Sequence, residues 1–143
     1  MKFAMPGSID RLLNYWAFVR RDNGMDKDTL DMVMTTLTQI ARGGVFDHIG
    51  GGFFRYAQDR QWRVPHFEKV LYDNAQLLSV YARAMKLGGD VLFADTLTTT
   101  LAWLTREMRD PHGGFYAGQD GASQGQRGRH YLWRREQAKK LLD

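Results

Sequence analysis

Apolar positions recur at helical spacing along most of the chain. Leu12, Leu13, Trp16, Ala17 and Val19 form a broad apolar face that runs to about Arg21. Met1 to Gly7 reads as a lead-in broken by Pro6-Gly7. Ser8 reads as the N-cap, with Asp10 suited to the positive end of the helix. Asp22-Asn23-Gly24 reads as a turn. Leu30, Val33, Leu37, Ile40 and Ala41 then mark a second helix that starts near Asp26 or Asp28 and ends at Gly43-Gly44. Phe67, Val70, Leu71, Leu77, Leu78, Tyr81, Ala82 and Met85 make a third stripe, with Pro65 in the first helical turn, where its missing N–H does no harm. Gly88-Gly89 breaks that helix and Asp90 caps a fourth, with Leu97, Leu101, Leu104 and Met108 on its buried side. A fifth, short helix spans Arg134 to Leu142.

Long and short connections alternate between these helices. A helix followed by Gly-Gly, aromatic residues and a long polar loop occurs at Gly43 and again at Gly113, with the tight Gly88-Gly89 turn between them. In a ring of helical hairpins this alternation places both long loops, Gly43–Pro65 and Gly113–Trp133, at one end. Within the first loop, Trp62-Arg63-Val64 reads as a short strand.

The stretch from Gly43 to Asn74 is the densest in chemistry. It holds five glycines, two histidines, four carboxylates and seven aromatic rings. Glycines allow tight turns and close backbone approach, and aromatic faces mixed with scattered polar groups suit a pocket wall. A well-packed structural loop has the same composition. At the start of the third helix, His66, Lys69 and Asp73 lie at i, i+3 and i+7 and share a face, and Glu68 and Tyr72 lie on its neighbour. Carboxylates and a histidine at a helix start suit general acid–base chemistry. The plainer alternative is a Lys69–Asp73 surface pair with His66 near the cap. Asn74 falls inside the apolar stripe, so its amide needs buried partners, and it reads as an anchor for the Gly-rich loop.

Composition narrows the classes. The chain has 143 residues, a formal charge of +4 and no cysteine, so disulfides and thiolate chemistry are excluded. Its charged and apolar fractions are those of an ordinary globule. The basic residues are mostly scattered, which argues against nucleic-acid binding. No apolar run is long enough to span a bilayer and no signal peptide opens the sequence, so a cytoplasmic location is expected. Asp47-His48 is an acid–base or ligand pair in type, but neither it nor the other histidines has a recognised metal-ligand spacing; no metal and no cofactor is expected. Gly50-Gly51-Gly52 lacks the spacing of a dinucleotide fingerprint. Arg55, Tyr56 and Trp62 are suited to a hydroxylated or anionic ligand.

ARGGVFDHIGGGFFRY, followed by VPHFEKVLYDNAQL at Val64 to Leu77, resembles the central part of the spermatogenesis-associated protein 20-like family. GGFYAGQD and YLW, at Gly113 to Asp120 and Tyr131 to Trp133, match in the same order. The resemblance covers nearly the whole chain. It implies a thioredoxin-like domain followed by an α/α toroid of the six-hairpin glycosidase type, similar to N-acylglucosamine 2-epimerases. Departures occur in the second loop, where Asp120-Gly121-Ala122-Ser123 stands for the family's Asp-Ala-Asp-Ser, and where Gln124, Gln126 and Arg127 replace usual acids. Binding of a polyol, metal or cationic group there is expected to be weakened.

These readings give an all-α fold for residues 1–143: a single helical domain, an incomplete part of an α/α toroid without its thioredoxin-like domain, with long loops at one end. The expected function is carbohydrate-active in type, with a sugar or sugar derivative as ligand; the alternative is a non-catalytic helical scaffold or truncated inactive homologue. His66, Glu68 and Asp73 are the candidate catalytic residues. Asp47, His48, Arg55, Tyr56, Trp62, Lys69, Tyr72 and Asp120 are the candidate binding residues. Terminal helices lacking a neighbour would leave Leu13, Trp16, Leu141 and Leu142 partly exposed and promote self-association or a need for missing toroid segments.

Overall fold

The computed structural model describes residues 1–21 and 26–142. The turn expected at Asp22-Asn23-Gly24 lies outside the described residues. Among those described are five α-helices: α1 (Pro6–Arg21), α2 (Lys27–Arg42), α3 (Leu71–Lys86), α4 (Val91–Trp103) and α5 (Arg135–Leu142). A π-helical turn, Leu104–Met108, continues α4.

The helices form where the apolar periodicity places them, but their ends are set by local chemistry. Pro6, rather than a residue after Ser8, opens α1. Met5 at φ 49° turns the chain, and its carbonyl accepts from the Ser8 and Ile9 amides. Ser8 therefore lies inside the helix and is not its cap. Asp26 caps α2 by accepting from the Thr29 N–H at 3.0 Å, and the Gly43 amide closes the helix on the Ile40 carbonyl. Asp90 caps α4 through the Leu92 N–H, after Gly88 at φ +106° has reversed the chain.

α1 packs on α2 and α3, and α4 packs on α3 and α2. Their shared core includes Leu13, Val33, Leu37, Ile40, Leu77, Tyr81 and Phe93, all buried. The Tyr81 hydroxyl donates to the Leu37 carbonyl at 2.7 Å, which satisfies the one polar atom of a fully buried ring. On α4 the buried face runs through Phe93, Thr96, Thr100 and Trp103. Of the expected face, Leu104 and Met108 are buried, but Leu97 is only half-buried and Leu101 is 53% exposed. Threonines serve on this face because each hydroxyl returns to a carbonyl one turn back, as Thr96 does to Leu92 and Thr100 to Thr96.

The fold is mostly helical but not purely so. Three two-residue antiparallel pairs lie in the loops: β1 (Tyr56–Ala57) with β2 (Pro65–His66), β3 (Lys69–Val70) with β4 (Gly118–Gln119), and β5 (Ala122–Ser123) with β6 (Gln126–Arg127). They correct two expectations. Trp62-Arg63-Val64 is a turn, with Trp62 at φ 64°, and the strand begins at Pro65. The segment from Pro65 to Val70 is extended, and α3 starts only at Leu71. Its backbone groups are taken by the loops: the Arg55 N–H donates to the Glu68 carbonyl, and the Leu71 N–H to that of Ala117. His66, Lys69 and Asp73 therefore do not share a helix face.

The two long loops are packed on each other. Phe54 and Phe67 both meet Tyr131, at ring-centroid distances of 4.9 and 5.3 Å. Together with the β3–β4 pair this puts both loops at one end of the helices.

Candidate functional site

The Gly-rich loop is fixed to the helices by one amide. Asn74, fully buried on α3, accepts from the Phe53 N–H at 2.7 Å and donates to the Phe53 and Val70 carbonyls at 3.0 Å each. This is the anchor its place in the apolar stripe predicts. Gly51 and Gly52 follow from the closeness of α4. With φ values of +80° and +82°, their missing side chains leave room for the Thr99 carbonyl and the Trp103 ring. They are spacers against a helix, not a phosphate cradle.

That approach places Lys69 under the loop. Its Nζ donates to Asp47 Oδ2 at 2.8 Å and to the Gly51 carbonyl at 2.6 Å, and the residue is 1% exposed. The rings of Phe54, Trp103 and Tyr131 stand 5.0, 5.1 and 5.3 Å from the ammonium. Cation–π attraction of this kind is strongest where the cation is desolvated. Burial lowers the Lys69 pKa from its ordinary value, against the opposing pull of Asp47. Burial works to raise the Asp47 carboxyl, but the Lys69 hydrogen bond and charge and the Gly50 and Ile49 amides outweigh it, leaving Asp47 below the ordinary range. Tyr131 is pushed up to about 12, by burial first and then by the Asp47 and Glu107 charges.

Lys69 and Asp47 form part of the wall of an open cleft of about 270 Å³, with Trp103, Arg106, Glu107, Gln119, Asp120, His130 and Tyr131. Gln119 accepts from the Trp103 indole N–H at 3.2 Å, and Arg106 donates to the Gly50 carbonyl at 2.8 Å. A second cleft, about 310 Å³, is walled by His66, Phe67, Glu68, Asp120 and Arg127. Asp120 belongs to both. One of its oxygens accepts from the Ala122 N–H at 3.0 Å, and the side chain is otherwise exposed.

The remaining expected site residues sort around these clefts. His66 stacks on Tyr56 with centroids 4.6 Å apart, and its Nδ1 is buried without a hydrogen-bond partner, 3.9 Å from Glu68 Oε2. Glu68 is held by Arg55 at 2.9 Å, and that carboxylate in turn raises the Arg55 pKa. Asp73, in the first turn of α3, is raised by burial, with Arg55 opposing and Glu68 adding to the shift. Arg55, Tyr56, His66, Glu68 and Asp73 are thus brought together, though of these only His66 and Glu68 wall a cleft, and Tyr72 walls neither. His48 lies on a third, more apolar hollow of about 400 Å³ and bonds the Gly43 carbonyl at 3.0 Å. Trp62 is 4% exposed, seated against Gly43 with Lys2 over its ring, so it braces the loop and walls neither of the two clefts.

Sequence reasoning missed Trp103, Arg106, Glu107, Gln119 and His130. Gln119 and Tyr131 carried a signal, through the GGFYAGQD and YLW matches. Among the described residues no group of three or more histidines and carboxylates is placed to hold a metal ion, and no helix is long and apolar enough to cross a membrane.

This is a helical segment that carries a loop-built polar cleft at one end. No family model matches it. Across 147 aligned residues, 99% of the chain, it is 39% identical to spermatogenesis-associated protein 20 of Mus musculus and 40% identical to that of Rattus norvegicus. The Homo sapiens protein of the same name is 38% identical over the same share. The chain spans only 18% of the mouse and rat proteins and 19% of the human one. The similarity thus runs along nearly the whole of this chain and along one segment of spermatogenesis-associated protein 20.

Proposed function

We propose that this chain supplies the loop-built face of a carbohydrate-active-type site in a larger α/α toroid, akin to N-acylglucosamine 2-epimerases and six-hairpin glycosidases. Its ligand is a small hydroxylated molecule of the sugar class, handled in the cytoplasm. The observation that carries this reading is Asp120, an exposed carboxylate shared by two clefts. On one side it is joined by Glu107 and the Trp103 and Tyr131 rings, on the other by Glu68 and His66. Aromatic faces suit the apolar faces of a sugar ring, and carboxylates accept from its hydroxyls.

Two reactions use such groups. Hydrolysis needs two carboxylates flanking a glycosidic bond, for which Glu68 and Asp120 are the pair on one cleft. Epimerisation beside a carbonyl needs a base and an acid, for which Glu68 and His66 are the pair. In both cases Arg55 holds the Glu68 carboxylate in place, at 2.9 Å. Asp73 is then an outer carboxyl that senses the same charges.

The test is a thermal-shift and calorimetric screen of neutral sugars, N-acylglucosamines and disaccharides against the whole chain. A ligand at a hundred times its Kd adds about 2.7 kcal/mol of stability. Asp120→Asn is expected to weaken that ligand about tenfold, the loss of one charge-assisted hydrogen bond. A screen without hits, or a hit indifferent to Asp120, leaves the loops as braces of a non-catalytic scaffold.

A further inference from the structure

The second loop carries a feature that the cleft reading does not use. Arg127, Arg129 and Arg134 converge on one hollow of about 620 Å³, next to the Gln126 and Gln137 amides and Trp133. No carboxylate stands in its wall, and among the described residues none lies within ion-pair distance of any of the three guanidinium groups. Three like charges gathered without a counter-charge repel one another, and an anion between them relieves that repulsion.

The backbone beneath them is fixed rather than loose. Gln124 and Gly125, both at positive φ (52° and 74°), form the two-residue turn that closes the β5–β6 hairpin and sets Arg127 on its second strand. Gly128 then bends the chain at φ +71°, and its N–H donates to the Gly121 carbonyl at 2.7 Å. A side chain there would strike the Phe67 ring, at 2.5 Å, so the bend is locked against the core loop. The Tyr131 and Leu132 amides both return to the Gly128 carbonyl, which brings Arg129 round beside Arg134. Arg134 is in turn pinned, its N–H donating to Gln137 Oε1 at 3.0 Å.

We propose that this hollow is a binding site for a phosphate-bearing ligand, with Arg129 and Arg134 as its principal contacts and Arg127 at its edge. Guanidinium groups match phosphate oxygens bidentately, and three of them suit a phosphomonoester or a diphosphate carrying two or more negative charges. Arg127 also borders the cleft that holds Glu68 and Asp120. Arg127 is therefore divided between two hollows, whereas Arg129 and Arg134 line this one alone. Gln126 and Gln137 supply neutral donors, and Trp133, 58% exposed, offers a flat face to whatever carries the phosphate. The site is independent of the sugar reading, since it shares only Arg127 with the two clefts.

Isothermal titration of the whole chain with pyrophosphate and with glycerol 3-phosphate, at low and at physiological salt, tests it. Binding is expected, weakening with salt as exposed charges are screened. Arg129→Gln and Arg134→Gln are each expected to weaken it about tenfold, while Arg135→Gln and Lys140→Gln on α5 leave it unchanged. A parallel titration with phosphatidylserine–phosphatidylcholine vesicles separates the sources. Soluble esters binding with vesicles inert means a free phosphorylated metabolite, and vesicle binding lost in the same two variants means a lipid headgroup. No pyrophosphate or vesicle binding at low salt, or binding equally sensitive to all four substitutions, overturns the proposal.

Discussion

Lys69 and Asp47, 22 residues apart in sequence, meet in a 2.8 Å ion pair in which the lysine side chain is 1% exposed and the aspartate 11%. The pair closes the Gly-rich loop over β3. Around it stand Phe54 from the first loop, Trp103 from α4 and Tyr131 from the second loop. One ammonium thus ties together the elements that build both clefts.

Removing one partner of such a pair leaves the other buried and uncompensated. Lys69→Met is expected to cost about 3–5 kcal/mol, measured by urea denaturation. The double variant Lys69→Met/Asp47→Leu should recover much of that loss, because no charge is then stranded. A single variant within 1 kcal/mol of the parent, on the order of an exposed pair, would mean that the loop does not depend on the contact.

Gly51 and Gly88 should separate by their surroundings. An alanine Cβ at Gly51 would lie 2.2 Å from the Thr99 carbonyl, at φ +80°. Backbone strain and overpacking add there, so Gly51→Ala is expected to cost about 3 kcal/mol or more. Gly88 also has positive φ, +106°, but nothing lies within 4 Å of the added atom. Gly88→Ala should cost only the conformational term, about 1–2 kcal/mol. Equal losses would show that space around Gly51 is not the constraint.

What the sequence discloses follows the range of the interactions. The apolar stripes of α2 and α3 were legible because each buried face repeats within a few residues. Asn74 was legible for the same reason: an amide inside an apolar stripe has to be satisfied. The start of α3 was not. Pro65 to Val70 has a helical pattern, yet its backbone is claimed by Tyr56–Ala57 on one side and by Gly118–Gln119, some fifty residues on, on the other. Lys69 was read as a site residue, but its partner was sought at Asp73, one turn along a helix that does not exist there. Trp103 gave no local signal and Gln119 only its place in the GGFYAGQD match, because what makes them cleft residues is their meeting across the loop.

Exposure at the helix faces predicts association. On α5, Leu141 is 70% and Leu142 86% exposed, and no described residue of that helix is buried. On α1, Tyr15 and Phe18 are 54% and 64% exposed. Leu13, expected to be partly exposed, is instead buried at 1%, while Trp16 is half-buried, in line with the expectation. Apolar surface of this kind promotes self-association. Light scattering should give a mass that rises with concentration, and Leu141→Ser/Leu142→Ser should lower it. A monodisperse monomer with a high, cooperative melting transition at all concentrations would contradict this.

Asp47 and Asp73 should respond to charge removal with opposite signs. The Asp47 carboxyl is held below its ordinary value of 3.8 in the fold, so the unfolded chain binds more protons between the two values. Stability from Asp47 is then present above about pH 4 and is lost as pH falls through the folded value. Asp73 is raised above 3.8, chiefly by burial, with Arg55 opposing and Glu68 reinforcing. Here the folded chain binds more protons, so stability is present below about pH 4 and is lost as pH rises through the folded value. Asp73→Asn is therefore expected to be neutral or stabilising at pH 7, because the amide carries no charge for burial to penalise. Asp47→Asn is expected to be destabilising at pH 7, with the deficit shrinking below about pH 4. Urea denaturation of both variants between pH 3 and pH 7, a range set by the reference carboxylate values, reads the two slopes directly. Should Asp73→Asn lose more than about 1 kcal/mol at pH 7, its carboxylate is a brace for Arg55, and its place among the candidate acid–base groups falls with it.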